Sequence, residues 1–156
     1  IVADEPVSML DVSIRGEVLN LMLNLSRSKG VTFVYITHDL ATARHICDRI
    51  AVMYLGKLVE LGTADEVIGN PRHPYTAALI GAVFVPDPRH RGFAQLLRGE
   101  IPSPVNPPSG CRLHPRCPYA IDICREVEPE LADYEGTHQA ACHRAHEMES
   151  LQKNIG

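Results

Sequence analysis

The stretch Ile1-Val2-Ala3-Asp4-Glu5-Pro6-Val7-Ser8-Met9-Leu10-Asp11 decides how this 156-residue chain is read. A short apolar run ends in two adjacent carboxylates, and Pro6 then stops further ladder pairing. The pattern predicts the carboxyl end of a buried strand. Beyond it, Ile14, Val18, Leu21, Met22 and Leu25 recur at helical spacing. A helix is expected over 12–29, with Asp11 or Ser13 as N-cap and Gly30 as the stop. Val31-Thr32-Phe33-Val34-Tyr35-Ile36 is β-branched and aromatic, and predicts a second buried strand ending at Thr37-His38-Asp39. Strand, long helix and strand imply a parallel pair. Ligands of open α/β sheets gather at the carboxyl ends of strands, where Asp4, Glu5 and His38 all fall. A short helix over about 40–47 follows, and 49–55 with 57–61, separated by Gly56, read as a hairpin. Cys47, in the helical pattern, reads as a small core residue.

Composition divides the chain further. Eleven of the 12 prolines lie between Pro71 and Pro129, and four of the five cysteines fall in the last third. Residues 1–70 therefore read as a packed α/β segment, 71–110 as short helices joined by a Pro-rich strap, and 111–156 as a small cysteine-held unit. The formal net charge of −4 supplies no basic face, so nucleic acid is not expected as a partner. The longest apolar run, 77–85, is about half the ~18 residues a membrane helix needs. No basic n-region opens the chain, so a signal peptide is not expected.

Paired carboxylates at a strand end have a specific use. One can hold a hydrated magnesium ion while its neighbour polarises an attacking water, and a nearby imidazole can orient a terminal phosphate. The plainer reading makes Asp4 and Glu5 turn residues and His38 the neighbour of an N-cap. The combination, however, resembles ABC-transporter ATPases: residues 1–11 resemble their Walker B strand and D-loop, and Tyr35-Ile36-Thr37-His38-Asp39-Leu40 resembles their switch-histidine loop. The resemblance implies that Asp4 ligates Mg2+ through water, that Glu5 is the general base and that His38 contacts the γ-phosphate of ATP. Ser8 and Asp11 would lie in the D-loop at a dimer interface. Met9 departs from the small residue usual there. The 156 residues contain no G-x-x-x-x-G-K-[ST] loop and no Leu-Ser-Gly-Gly-Gln-type motif. Phosphoryl transfer depends on positioning and charge stabilisation, so this polypeptide alone is expected to turn over little ATP.

Asn70-Pro71-Arg72-His73-Pro74-Tyr75-Thr76 precedes a helical pattern over 77–83 that Pro74 is placed to open. His73 and Tyr75 read as packing or turn residues and His90 as solvated. Gly99-Glu100-Ile101-Pro102-Ser103-Pro104 and Asn106-Pro107-Pro108-Ser109-Gly110 read as a stiff, extended linker. Cys111, Cys117, Cys124 and Cys142 follow. Disulfides, free thiols, a zinc site with His114 or His143 replacing a thiolate, and a [4Fe–4S] cluster are the competing readings. The strap and the cysteine segment resemble the carboxyl-terminal extension of oligopeptide/dipeptide-type ABC ATP-binding subunits, a branch that includes nickel importers. In that extension some members hold an iron–sulfur cluster, which implies the four cysteines as its ligands in a structural role. The tail from about Ala145, with Met148 and Leu151 at loose helical spacing, is expected to fray.

Taken over nearly the whole chain, the resemblance implies an α/β fold: the carboxyl-terminal part of a P-loop ABC ATPase domain with an irregular cysteine-rich, metal-binding extension. It implies ATP and Mg2+ as ligands of the complete subunit. A second ATP-binding subunit, two permease subunits and, indirectly, an extracytoplasmic solute-binding protein would be its partners, at the cytoplasmic face of the membrane. Peptides are the expected cargo, with nickel or another small solute behind. The alternative is a non-catalytic iron–sulfur or zinc module docking on a partner ATPase.

Overall fold

The computed structural model describes residues 1–84 and 97–153. Two compact units divide the chain, Ile1–Cys47 and the part from Asp48 onward. His90 lies outside the described residues.

The first unit runs β1 (Val2–Asp4), α1 (Val12–Lys29), β2 (Val34–Ile36) and α2 (Leu40–Ile46). The strands pair in parallel, with Val2 opposite Val34 and Asp4 opposite Ile36. Helix α1 has the expected bounds. Gly30 stops it at φ 66°, a left-handed conformation that lets its N–H reach the Ser26 carbonyl at 3.0 Å. Two expectations are corrected. The second strand is only three residues long, Val34–Ile36. Both strands are also exposed, not buried: Val2 is 70% and Val34 56% accessible. Two short strands and two helices carry too little apolar surface to cover both faces of a sheet. Cys47 caps α2 and is half-buried, outside the core.

The second unit is built on a four-stranded sheet in the order β3-β4-β6-β5, antiparallel throughout. Strands β3 (Arg49–Tyr54) and β4 (Lys57–Thr63) form the expected hairpin. Its two turn residues, Leu55 and Gly56, have φ of 45° and 77°, the sign a tight hairpin turn requires. Next come α3 (Ala64–Gly69), α4 (Pro74–Phe84), opened by Pro74 as expected, and α5 (Ile123–Glu126). Strands β5 (Ala132–Glu135) and β6 (His138–Ala140) were not expected. They turn at Gly136 (φ 60°) and attach to β4, so the hairpin grouped by composition with residues 1–70 packs instead with the cysteine region.

Ile50, Val52 and Tyr54 alternate inward from β3, and Val59, Val67, Ile68, Ala77, Ala78 and Leu113 are buried with them. The Tyr54 and Tyr75 rings meet at a tilt of 51°, their centroids 4.7 Å apart. The tail does not fray at Met148, which opens α6 (Met148–Lys153) and is 0% exposed. Gln152 Nε2 also donates to the Pro71 carbonyl at 3.0 Å.

A buried carboxylate ties three segments together. Glu60, fully buried on β4, accepts the Arg72 N–H (2.7 Å) and His138 Nε2 (2.7 Å) on one oxygen and the His73 N–H (3.0 Å) on the other. A carboxylate removed from water persists only with its lone pairs filled in this way. Glu60 thereby fixes where the strap leaves the sheet.

Candidate functional site

Two clusters of chemistry-bearing side chains stand out, one in each unit. In the first unit, Asp4 ends β1 opposite Ile36, and the chain turns sharply at Glu5. Glu5 has φ 42°, a region that costs a non-glycine residue about 1–3 kcal/mol. The turn is held by the Glu5 N–H on the Ile36 carbonyl (2.9 Å) and by the Ser8 N–H and Oγ on the Glu5 carbonyl (3.2 and 3.0 Å). On the other strand, Thr37 Oγ1 accepts the Asp39 N–H, and the Asp39 carboxylate caps α2 through the Thr42 N–H (3.1 Å) and hydroxyl (2.6 Å). The Thr42 hydroxyl holds the Asp39 carboxyl below its usual range. His38 is presented between these fixed residues, and its Nδ1 meets Glu5 Oε1 at 2.8 Å. A carboxylate only accepts, so Nδ1 carries the proton and Nε2 is left for another group. Both side chains remain open to solvent, Glu5 at 44% and His38 at 80%. Asp11 is the N-cap residue of α1 without a side-chain cap bond, and Met9 projects at 98% exposure. The arrangement sets a carboxylate and an imidazole side by side at the carboxyl ends of two parallel strands.

In the second unit, Cys111, Cys117, Cys124 and Cys142 line one cavity together with His73, His114 and His143. No disulfide joins these four cysteines. Local turns deliver the cysteines: the Cys111 N–H donates to the Cys124 carbonyl at 2.8 Å, and Cys117 N–H to the Leu113 carbonyl at 2.9 Å. Gly110 makes the first contact feasible, since a Cβ there would lie 2.6 Å from the Cys124 carbonyl oxygen. Among the described residues, the Arg144 N–H points at sulfur and reaches Cys142 Sγ at 3.4 Å.

Burial nonetheless pushes these thiols up, Cys117 to about 11, Cys142 to about 12 and Cys111 in the same direction. They are neutral at pH 7. The ligand array expected from the sequence is not drawn together: among the described residues no group of three or more His, Cys, Asp or Glu is arranged to hold a metal ion.

The three imidazoles differ. His73 is 1% exposed and its Nδ1 accepts the Tyr75 N–H at 3.2 Å. Burial lowers it to about 3, so it is neutral. The expectation that it packs and turns the chain is met, and its place in the cavity wall was missed. His114 Nδ1 and His143 Nε2 each face a backbone carbonyl, of Cys111 and Val127 respectively, both at 3.0 Å. Sequence reasoning also missed Glu60 and His138, for which the sequence holds no local signal.

Residues 59–124 match the family described as "Oligopeptide/dipeptide transporter, C-terminal region". The chain is 53% identical over 146 residues to the oligopeptide transport ATP-binding protein OppF of Salmonella typhimurium, covering 91% of this chain and 43% of that protein. It is 50% identical over 144 residues to a putative peptide import ATP-binding protein of Brucella ovis, covering 92% and 45%. A putative oligopeptide transport ATP-binding protein of Bacillus subtilis, YkfD, is 46% identical over 155 residues, covering 98% and 47%. The chain thus spans just under half the length of the curated relatives it matches. The chain is thus similar to the carboxyl-terminal portion of oligopeptide/dipeptide-type ABC transporter ATP-binding subunits.

Proposed function

We propose that this chain is the carboxyl-terminal part of an ATP-hydrolysing subunit that energises uptake of oligopeptides or dipeptides. The meeting of Glu5 and His38 at 2.8 Å carries the reading. Glu5 serves as the general base for the attacking water, and its contact with His38 positions both groups on the same side of the nucleotide. Asp4, one residue earlier, holds Mg2+ through water. His38 Nε2 is left to meet the γ-phosphate, while Ser8 and Asp11 face a second ATP-binding subunit across the dimer. Two permease subunits receive the work, and an extracytoplasmic binding protein delivers the cargo. The subunit sits peripherally at the cytoplasmic face; among the described residues no helix is long and apolar enough to cross a membrane.

The phosphate-cradling loop and the Leu-Ser-Gly-Gly-Gln-type motif are not in these 156 residues, so the polypeptide by itself turns over little ATP. In the complete subunit, Glu5→Gln should leave nucleotide binding intact and lower turnover by about 10²-fold or more. ATPase rates and nucleotide-dependent dimerisation measure this. Unchanged turnover in that variant would remove Glu5 from the chemistry and favour a non-catalytic adaptor.

The four cysteines are proposed as ligands of a [4Fe–4S] cluster with a structural role. The donor set supports this: four thiols share one cavity, and the Cys142 sulfur receives the Arg144 backbone N–H. Zinc fits less well, since the four cysteines lack the paired C-x2-4-C spacing usual for its structural sites. When bound, the cluster would supply the positive charge that deprotonates the thiols and cross-link the loops bearing them.

A further inference from the structure

Residues 5–10 form two linked turns. The Glu5 carbonyl accepts from the Ser8 N–H and hydroxyl, and the Val7 carbonyl accepts the Leu10 N–H at 3.2 Å. Val7 is buried and anchors the stretch, while Met9 projects into solvent. The Leu10 carbonyl falls one residue too early for the α1 ladder, whose first bond runs from the Arg15 N–H to the Asp11 carbonyl at 2.9 Å. The Arg15 guanidinium takes it instead, with Nη2 donating at 3.2 Å. A side chain of α1 therefore closes the turn that leads away from Glu5.

The same cation bears on the other strand end. The Thr42 hydroxyl holds the Asp39 carboxyl below its usual range, and the Arg15 charge acts in the same direction. Burial raises the Tyr35 hydroxyl, and the Arg15 charge opposes it. Arg15 Nε is buried and without a hydrogen-bond partner among the described residues. Leaving a donor unpaired in such a place costs free energy, which a bond to Leu10 alone does not explain. The Asp39 carboxylate accepts from Thr42 and keeps lone-pair capacity beyond those bonds. Asp39 also directly follows His38 and caps α2, so whatever holds Asp39 holds the His38 loop.

We infer that Arg15 is a positioning residue that locks the Ser8–Asp11 turn to the His38 loop, so that Glu5 and His38 keep their mutual placement when a second subunit presses on the turn. The role rests on the ATPase reading above. Arg15 touches neither nucleotide nor magnesium in that reading. It acts through the Leu10 carbonyl on one side and the Asp39 carboxylate on the other. The pair it supports is open to solvent and has little packing of its own to fix it.

Turnover is measured in the complete subunit assembled with its partners, for wild type, Arg15→Met and Arg15→Lys. Arg15→Met should lower kcat about tenfold and leave the KM for ATP within about twofold of wild type. Arg15→Lys keeps the charge and a donor, and should restore most of the loss. Asp39→Asn keeps the cap and removes the charge. In that background the loss from Arg15→Met should shrink to about threefold or less, as for groups that act through one another. Arg27→Met, at an exposed position in the last turn of the same helix, should leave kcat unchanged. In the 156-residue chain, carboxyl 13C NMR should show the Asp39 titration moving upward in Arg15→Gln. That shift decides the matter even where Arg15→Met fails to fold. Additive losses in the Asp39→Asn background, no rescue by lysine, or an Asp39 titration that stays in place overturns the proposal alone, with Glu5→Gln still inactive. Full turnover in Glu5→Gln overturns it together with the ATPase reading.

Discussion

The two units handle polar groups in opposite ways. In Ile1–Cys47 the chemistry-bearing side chains stand at the surface, on strands whose apolar residues are themselves exposed, and among the described residues Val7 and Ala43 alone of its apolar side chains are buried. From Asp48 onward the polar groups go inside: Glu60, Arg72, His73, Thr76 and His138 are all buried. The second unit can bury them because its core of β3, β4, α3 and α4 excludes water and orders the strap around Glu60. A surface pair such as Glu5–His38 can reorganise when a ligand arrives, at little cost to packing. A buried network cannot, since every unpaired member carries its full desolvation penalty.

The largest expected effect follows from that network. Glu60→Ala leaves the Arg72 and His73 N–H groups and the His138 ring without their acceptor in a dry interior. The loss should be about 3–5 kcal/mol, the range for removing one partner of a buried polar pair. Glu60→Gln, which retains a carbonyl acceptor, should cost less. Four of the five tyrosines (Tyr54, Tyr75, Tyr119 and Tyr134) lie beyond Asp48 and the chain has no tryptophan, so tyrosine emission during urea unfolding reports this unit. A loss below about 1 kcal/mol for Glu60→Ala would mean that the buried carboxylate does not tie the strap to the sheet.

A pair of identical substitutions sharpens the comparison. Met148 is 0% exposed and Met9 is 98% exposed. Met148→Ala should destabilise the second unit by about 2–5 kcal/mol through lost burial and a residual cavity. Met9→Ala should change stability by about 0.5 kcal/mol or less. Similar costs for the two would show that burial at the carboxyl-terminal tail is not what orders it.

Which of these features the sequence announces depends on the range of the interaction. Helix α1 is legible because its periodicity and its Gly30 stop are local, and the hairpin because Gly56 interrupts two β-rich runs. Asp4, Glu5 and His38 are legible because parallel pairing puts strand ends together whatever else the chain does. Strands β5 and β6 are four and three residues long and largely polar, so their pairing is decided by β4 and not by their own pattern. Glu60 deceives for a related reason. In Val59-Glu60-Leu61 it occupies what reads as a solvent-facing alternate, yet both Val59 and Glu60 are buried, because the strap and β6 cover it from opposite sides of the sequence. The exposure of β1 and β2 was misjudged since apolar composition predicts what prefers burial, not what is available to cover it.

The smallest effect concerns a signal that was local and still overlooked. Thr63 and Glu66 form a capping box at the start of α3: Thr63 Oγ1 accepts the Glu66 N–H at 3.2 Å, and Glu66 Oε2 accepts the Thr63 N–H at 2.7 Å. Thr63→Ala should cost about 1 kcal/mol, the usual value of an N-cap. The Thr63 backbone N–H, then its hydroxyl, hold the Glu66 carboxyl below its ordinary range, with a further bond from the Thr137 hydroxyl. A carboxyl lowered in the folded state adds stability above its unfolded pKa and loses it as pH falls through the folded one. The difference between wild type and Thr63→Ala should therefore be full near neutrality and shrink on acidification through the carboxylate range. Urea midpoints taken at neutral and acid pH measure it. A difference that stays constant would assign the cap to the threonine hydroxyl alone and leave Glu66 out of the box. Either way the effect stays within the second unit, where α3 packs on β3 and β4, and the exposed strands of the first unit should not register it.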